Sequence, residues 1–162
     1  MKMSSLLKNP IVKNILSALA VAFFGSILLN LTFLFDFFFQ SMIRGVVRLF
    51  IPLDLNFNLY WFPPLMHSSF VVIIGIISWI VFRSKLGVLY KAIYMTVPVA
   101  VVLTTVGIFL YRWPIVSYSV GSLLCIGALC YLYRTKQPWL YYYTVVLVGI
   151  TLAIFTLLGG EI

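Results

Sequence analysis

The sequence predicts an all-α, polytopic membrane protein: a bundle of five transmembrane helices, with an amphipathic interfacial helix between the first and second spans. Of its 162 residues, 64% are hydrophobic and only 9% are charged, which is about a third of the charged fraction of a soluble globular domain. A soluble chain of this size would need far more polar surface. The apolar runs do not alternate with polar residues as the strands of a membrane barrel do, so the spans are predicted to be helices.

The five predicted spans are apolar runs of about 20 residues, the helix length that crosses hydrocarbon about 30 Å thick. Charged residues, prolines and aromatic residues bound these runs. Little chain remains for an extramembrane domain, so residues 1–162 are predicted to form one transmembrane domain. The spans cover residues 11–35, 66–82, 92–111, 115–133 and 140–158.

The first span carries small residues at helical spacing. Ala18, Ala22 and Ser26 recur at intervals of four, and Gly25 is adjacent to this stripe. Small residues at this spacing let helix backbones approach closely in lipid. These four residues therefore predict a helix-packing face, whose partner is either another span of this chain or another protein.

An amphipathic helix is predicted over residues 40–50, in the outer headgroup layer. Asp36, Gln40, Arg44 and Arg48 recur every four residues and form a polar stripe. No proline interrupts residues 11–51, and one straight helix of that length would extend about 60 Å, twice the hydrocarbon thickness. The chain is therefore expected to bend, with residues 40–50 lying along the membrane surface.

The later spans are separated by short connections. Pro63 and Pro64 precede the second span, and Pro98 lies inside the third, where it predicts a kink or a compensating hydrogen bond from a nearby threonine.

Cys125 and Cys130 both lie in the fourth span, five residues apart. On a helix this spacing gives a rise of about 7.5 Å and a rotation of about 140°, so no disulfide joins them.

Basic residues in the connections predict the orientation of the chain. Eight of the eleven fall on one side and three on the other, and the side richer in Lys and Arg is cytoplasmic in membrane proteins. The N-terminus is therefore predicted to be cytoplasmic and the C-terminus outside, with a prokaryotic plasma membrane favoured. The eight are Lys2, Lys8, Lys13, Arg83, Lys85, Lys91, Arg134 and Lys136; the three are Arg44, Arg48 and Arg112.

The outer side holds the only ionisable groups that we expect to converge on one face: Arg44, Arg48, Asp54, His67 and Arg112. Arginines beside a membrane bind phosphate well, so this group predicts a site for a lipid headgroup or another anion. The alternative is that the arginines hold lipid phosphates without specificity and that the histidine makes a local hydrogen bond. Asp36 is predicted to lie at the same outer surface.

Several classes of function are disfavoured. One histidine and two cysteines predict no metal site and no cofactor. The basic residues are spread between apolar runs, so nucleic-acid binding is not expected. No ionisable residue is predicted near the middle of a span, which disfavours ion-coupled transport. A catalytic site is not predicted, because one imidazole without an evident nucleophile offers no specific constellation.

Three functions remain. The first is a non-catalytic structural or interaction subunit that packs into a larger transport, secretion or respiratory complex. The second is a membrane module that binds or transports a lipid headgroup or other small anion at the outer leaflet. The third is a lipid-modifying enzyme that uses His67 with Asp54. The expected partners are membrane lipids and other membrane-protein subunits, or further copies of the chain.

Overall fold

The computed structural model describes residues 9–50 and 62–157. These residues form five helices, each containing a stretch long and apolar enough to cross a membrane. The prediction of an all-helical membrane protein with five spans is confirmed at this level. The helices are α1 (Pro10–Phe50), α2 (Phe62–Arg83), α3 (Val88–Phe109), α4 (Pro114–Arg134) and α5 (Trp139–Leu157).

α1 is one helix of 41 residues, which corresponds to about 60 Å at 1.5 Å per residue. The predicted first span and the predicted interfacial helix both belong to it, and no helix end separates them. Met42, Arg44 and Leu49 are exposed on its last turns. The placement of residues 40–50 along a membrane surface stays a prediction, and Asp54 lies outside the described residues.

The other four helices begin and end within four residues of the predicted spans. Pro114 opens α4 at the first helical position, where its missing N–H leaves no hydrogen bond unmade. Lys136, between α4 and α5, adopts φ 50°, a left-handed conformation that allows the short reversal.

α3 lies at the centre of the bundle and packs against each of the other four helices. Its inner residues are small or β-branched, and they form the core with residues of its neighbours. We call the end at which α3 turns into α4 the Arg112 end; α2 begins there. The buried residues of α3 are Ala92, Thr96, Val97, Ala100, Val101 and Thr104.

Gly25 brings α1 against α3. A Cβ atom at Gly25 would lie 2.6 Å from Cγ2 of Thr96, closer than real side chains approach, and the Thr96 hydroxyl lies 3.4 Å from the Gly25 carbonyl. At this residue the small face of the first span packs against a span of the same chain. Ala18 and Ala22 are half-buried, and Ser26 is exposed; their use as a packing face stays a prediction.

Candidate functional site

A polar cluster is buried between α1, α2 and α3 towards the Arg112 end of the bundle. Asp36 is 8% exposed, His67 5% and Thr104 6%. Ionisable groups inside a membrane bundle are costly and mark functional sites by default. α2 and α3 cover the side of α1 that carries Asp36, so its carboxylate is buried between helices, and its position on the outer side of a membrane stays a prediction.

Helix geometry brings these residues together. His67 lies near the start of α2 and Thr105 near the end of α3, and the two antiparallel helices place both at the same level of the bundle. Asp36 reaches this level from α1 and lies beside the His67 ring. The cluster thus joins residues that are 31 to 69 positions apart in the sequence.

The His67 ring is held at Nε2 by a hydroxyl group. Nε2 lies 3.0 Å from the Thr105 Oγ1 atom, and this hydroxyl donates its own hydrogen to the Val101 carbonyl at 2.6 Å. A threonine hydroxyl has a single hydrogen. The hydrogen-bond network therefore assigns a proton to Nε2, which donates to Thr105.

The other face of the ring meets a carboxylate. Nδ1 of His67 lies 3.5 Å from Oδ2 of Asp36, an ion-pair distance that does not meet hydrogen-bond geometry. Oδ2 accepts a hydrogen bond from the Gln40 side-chain amide at 3.0 Å. Nδ1 and the carboxylate therefore lie side by side without a hydrogen bond between them.

A cavity of about 330 Å³ adjoins the cluster. Three buried polar atoms of residues that line it have no hydrogen-bond partner among the described residues: Asp36 Oδ1, His67 Nδ1 and Thr104 Oγ1. Buried polar atoms are nearly always paired with protein, water or ligand. The remaining lining is apolar and comes from Phe33, Ile108, Leu152 and Phe155.

Aromatic rings pack beside the His67 side of the cluster. Phe70, one turn after His67, is fully buried, and its ring centroid lies 6.2 Å from those of Phe35 and Phe39. It also lies 6.5 Å from the His67 ring. These rings lower the local dielectric, which strengthens any charge interaction in the cavity and raises the cost of an unpaired one.

The residues of the predicted anion site do not meet at this cavity. His67 lines it, whereas Arg44 and Arg112 are exposed and do not. Nε of Arg112 donates to the Tyr111 hydroxyl at 2.9 Å, and this hydrogen bond raises the pKa of the Arg112 guanidinium. The side chain of Arg48 and all of Asp54 lie outside the described part of the chain, so the anion site stays a prediction.

The cluster offers proton binding and hydrogen bonding. Within residues 9–50 and 62–157 no group of three metal-ligating side chains occurs. The Asp36–His67 pair can hold a shared proton, Asp36 Oδ1 can accept a hydrogen bond, and Thr104 can donate or accept one.

No protein-family model, no curated protein and no solved structure matches this chain.

Proposed function

We propose that this integral membrane protein is a binding or transport module that takes the cationic or hydroxyl-bearing group of a small ligand into the cavity beside Asp36 and His67. The observation that carries this proposal is the grouping of three buried polar atoms without partners around one cavity. Each such atom costs about 1–3 kcal/mol when it is left unpaired. A hydrogen-bonding occupant removes this cost at three atoms together.

The chemistry of the atoms defines the ligand. An ionised carboxylate oxygen only accepts hydrogen bonds, so Asp36 Oδ1 calls for a donor such as an ammonium or hydroxyl group. The Thr104 hydroxyl can donate to a ligand oxygen. An anion would instead set a second negative charge beside Asp36 in an apolar surrounding, so this cavity favours a ligand different from the anion that the sequence predicts.

The size of the cavity fits a small group. Its volume of about 330 Å³ lies at the lower end of the range for small-molecule sites, roughly 300–1,000 Å³. Phe33, Ile108 and Leu152 give the remaining wall an apolar character. A short polar group with a small apolar part therefore suits the cavity better than a large sugar or a nucleotide.

The single histidine of the chain makes the test direct. His67 is the only imidazole, so the ¹⁵N signals of histidine-labelled protein in lipid nanodiscs report on this cavity alone. We expect ethanolamine or glycerol to shift these signals in a saturable way and acetate to leave them unchanged. Asp36→Asn should weaken the response to ethanolamine, because the carboxylate charge is lost.

A matched control separates the site from general effects. Ser69→Ala removes an exposed hydroxyl from the same helix, which bonds only to the Leu65 carbonyl among the described residues, and it should leave both titrations unchanged. An acetate response equal to that of ethanolamine, or no response to either hydrogen-bond donor, would refute the proposed ligand class.

A second candidate function is the one that the sequence favours, a non-catalytic subunit of a larger membrane complex. The exposure of α4 supports it, since Leu132 is the only buried residue described in that helix. Such a surface can face lipid or a partner helix. The exposed Ser26 on the predicted packing face of α1 is a second position at which a partner would make contact.

Copurification in mild detergent tests the subunit role. Ser26 and Ser119 are both exposed, and their hydroxyls donate to the carbonyls of Ala22 and Ile115 in the same way. Ser26→Leu should remove a partner that packs on the α1 face, whereas Ser119→Leu should retain it. Identical copurified proteins in both variants would exclude the α1 face as the contact.

A further inference from the structure

A second cavity, of about 560 Å³, forms a groove between α3, α4 and α5. We call it the α4 groove, since residues from Pro114 to Leu129 of α4 line it. Gly121 on α4 and Gly149 on α5 keep it open, because neither has a side chain to fill it. Leu152 lines both this groove and the cavity beside Asp36, and therefore lies between the two.

The dimensions of the α4 groove fit one extended hydrocarbon chain. The lining from Pro114 to Leu129 covers fifteen helical steps, about 22 Å at 1.5 Å per residue. This length exceeds half of the hydrocarbon thickness, about 15 Å, which is the depth that one acyl chain of a lipid spans.

The surroundings of the groove are hydrocarbon. α3, α4 and α5 are all long and apolar enough to span a membrane, and the groove opens on the surface of the bundle. Ile126 of α4 lines the groove and is exposed on the surface of the bundle. An acyl chain can therefore enter from the bilayer without crossing water.

A positive charge lies at one end of the groove. Tyr111 and Pro114 line it, and Arg112 is in the turn between them with its guanidinium exposed. Nε donates to the Tyr111 hydroxyl, which fixes the base of the guanidinium and leaves its terminal N–H groups to bind a phosphate. No carboxylate of the described residues forms an ion pair with Arg112.

We propose that the α4 groove and Arg112 form a specific site for one anionic phospholipid. The phosphate binds to Arg112 and one acyl chain lies along α4 past Gly121. This site is separate from the cavity beside Asp36, and it stands or falls independently of the proposed function.

Photocrosslinking tests the site in vesicles that contain phosphatidylcholine and phosphatidylglycerol. The probes are one lipid of each type with a diazirine in the middle of an acyl chain, and mass spectrometry locates the crosslinks. We expect the phosphatidylglycerol probe to mark groove residues such as Ile126 and Val146 above other exposed residues. Arg112→Ala should lower this labelling about fivefold, the effect of one basic residue on an anionic lipid.

Two glycines of α4 provide the matched pair. A Cβ at Gly121 meets only Leu103 at 3.8 Å, and a Cβ at Gly127 meets nothing within 4 Å, so a Cβ fits at both positions. Leucine is also a better helix former than glycine. Gly121→Leu fills the groove and should reduce its labelling to the level of other exposed faces. Gly127→Leu, outside the groove, should not change it.

Ser122→Leu gives a second variant that fills the groove from an exposed position. Retention of groove labelling in both filling variants, or equal labelling by the two probes in the native chain, would overturn the proposal. Labelling spread evenly over the exposed faces of all helices would identify ordinary boundary lipid and would also overturn it.

Discussion

His67 Nδ1 and Asp36 Oδ2 lie 3.5 Å apart across the interface of α1 and α2, close enough for an ion pair but without a hydrogen bond. Both residues are buried and line the same cavity, and Oδ1 of Asp36 has no hydrogen-bond partner among the described residues. No hydrogen bond therefore joins the two side chains beside the cavity. This arrangement suits a site that completes its hydrogen bonds with a ligand.

The Asp36–His67 pair should show strong energetic coupling. Asp36→Leu removes the carboxylate that lies beside the buried His67 ring, and His67→Leu leaves the buried carboxylate without its imidazole neighbour. Each single variant should therefore lower the free energy of unfolding by about 2–4 kcal/mol. The double variant should cost much less than the sum of the two. Unfolding in mixed micelles by increasing amounts of a denaturing detergent measures all four proteins. Additive losses would show that the two side chains do not interact.

Thr105 should control the tautomer of His67. Thr105→Val removes the acceptor of the Nε2 hydrogen bond while it keeps the shape of the side chain, so the proton should move towards Nδ1 and Asp36. The ¹⁵N chemical shifts of the single histidine measure this change. Thr104→Val is the control, since Thr104 has no hydrogen bond to the ring; equal shifts in both variants would argue against the assigned network.

Gly25 should tolerate no side chain while Thr96 is present. Gly25→Ala places a Cβ 2.6 Å from Thr96 Cγ2 inside a packed interface, and overpacking of this kind costs about 1–3 kcal/mol. Thr96→Ser removes that methyl group and should recover about 1 kcal/mol of the loss. Thermal unfolding measures the effect. Gly75→Ala, where a Cβ meets nothing within 4 Å, should be neutral or slightly stabilising, and a loss as large as that at Gly25 would contradict the steric account.

The orientation of the bundle can be measured without changing its basic residues. Single cysteines at Leu86 and Trp113, both exposed near opposite ends of α3, are introduced after replacement of the free Cys125 and Cys130 by alanine. The count of Lys and Arg predicts that an impermeant thiol reagent labels Trp113→Cys from outside and Leu86→Cys only after the membrane is opened. The reverse pattern would refute the predicted topology.

The spans could be predicted because they depend on local sequence. Hydrophobic length sets each helix, and Pro114 and Arg134 bound α4 where composition changes. Local sequence could not predict whether residues 10–50 form one helix or a span followed by a separate interfacial helix. The stripe of Asp36, Gln40 and Arg44 is equally compatible with a separate helix and with the continuation of a long one. The structure shows one continuous helix, and the placement of residues 40–50 along a membrane surface stays a prediction.

The candidate site was largely hidden from sequence analysis. His67 attracted attention as the only histidine, but its contacts with Asp36 and Thr105 come from other helices, and helical periodicity contains no information on such pairs. One signal was available. An antiparallel arrangement of α2 and α3 places His67, near the start of α2, at a depth similar to that of Thr104 and Thr105, near the end of α3.

A crystal structure of the protein grown from a lipid mesophase tests the central claim most directly. The account predicts an ordered polar group, from a ligand or a water that marks its place, within about 3 Å of both Asp36 Oδ1 and Thr104 Oγ1. A cavity filled only by lipid hydrocarbon or by a rearranged apolar side chain, with Asp36 turned away from His67, would contradict it.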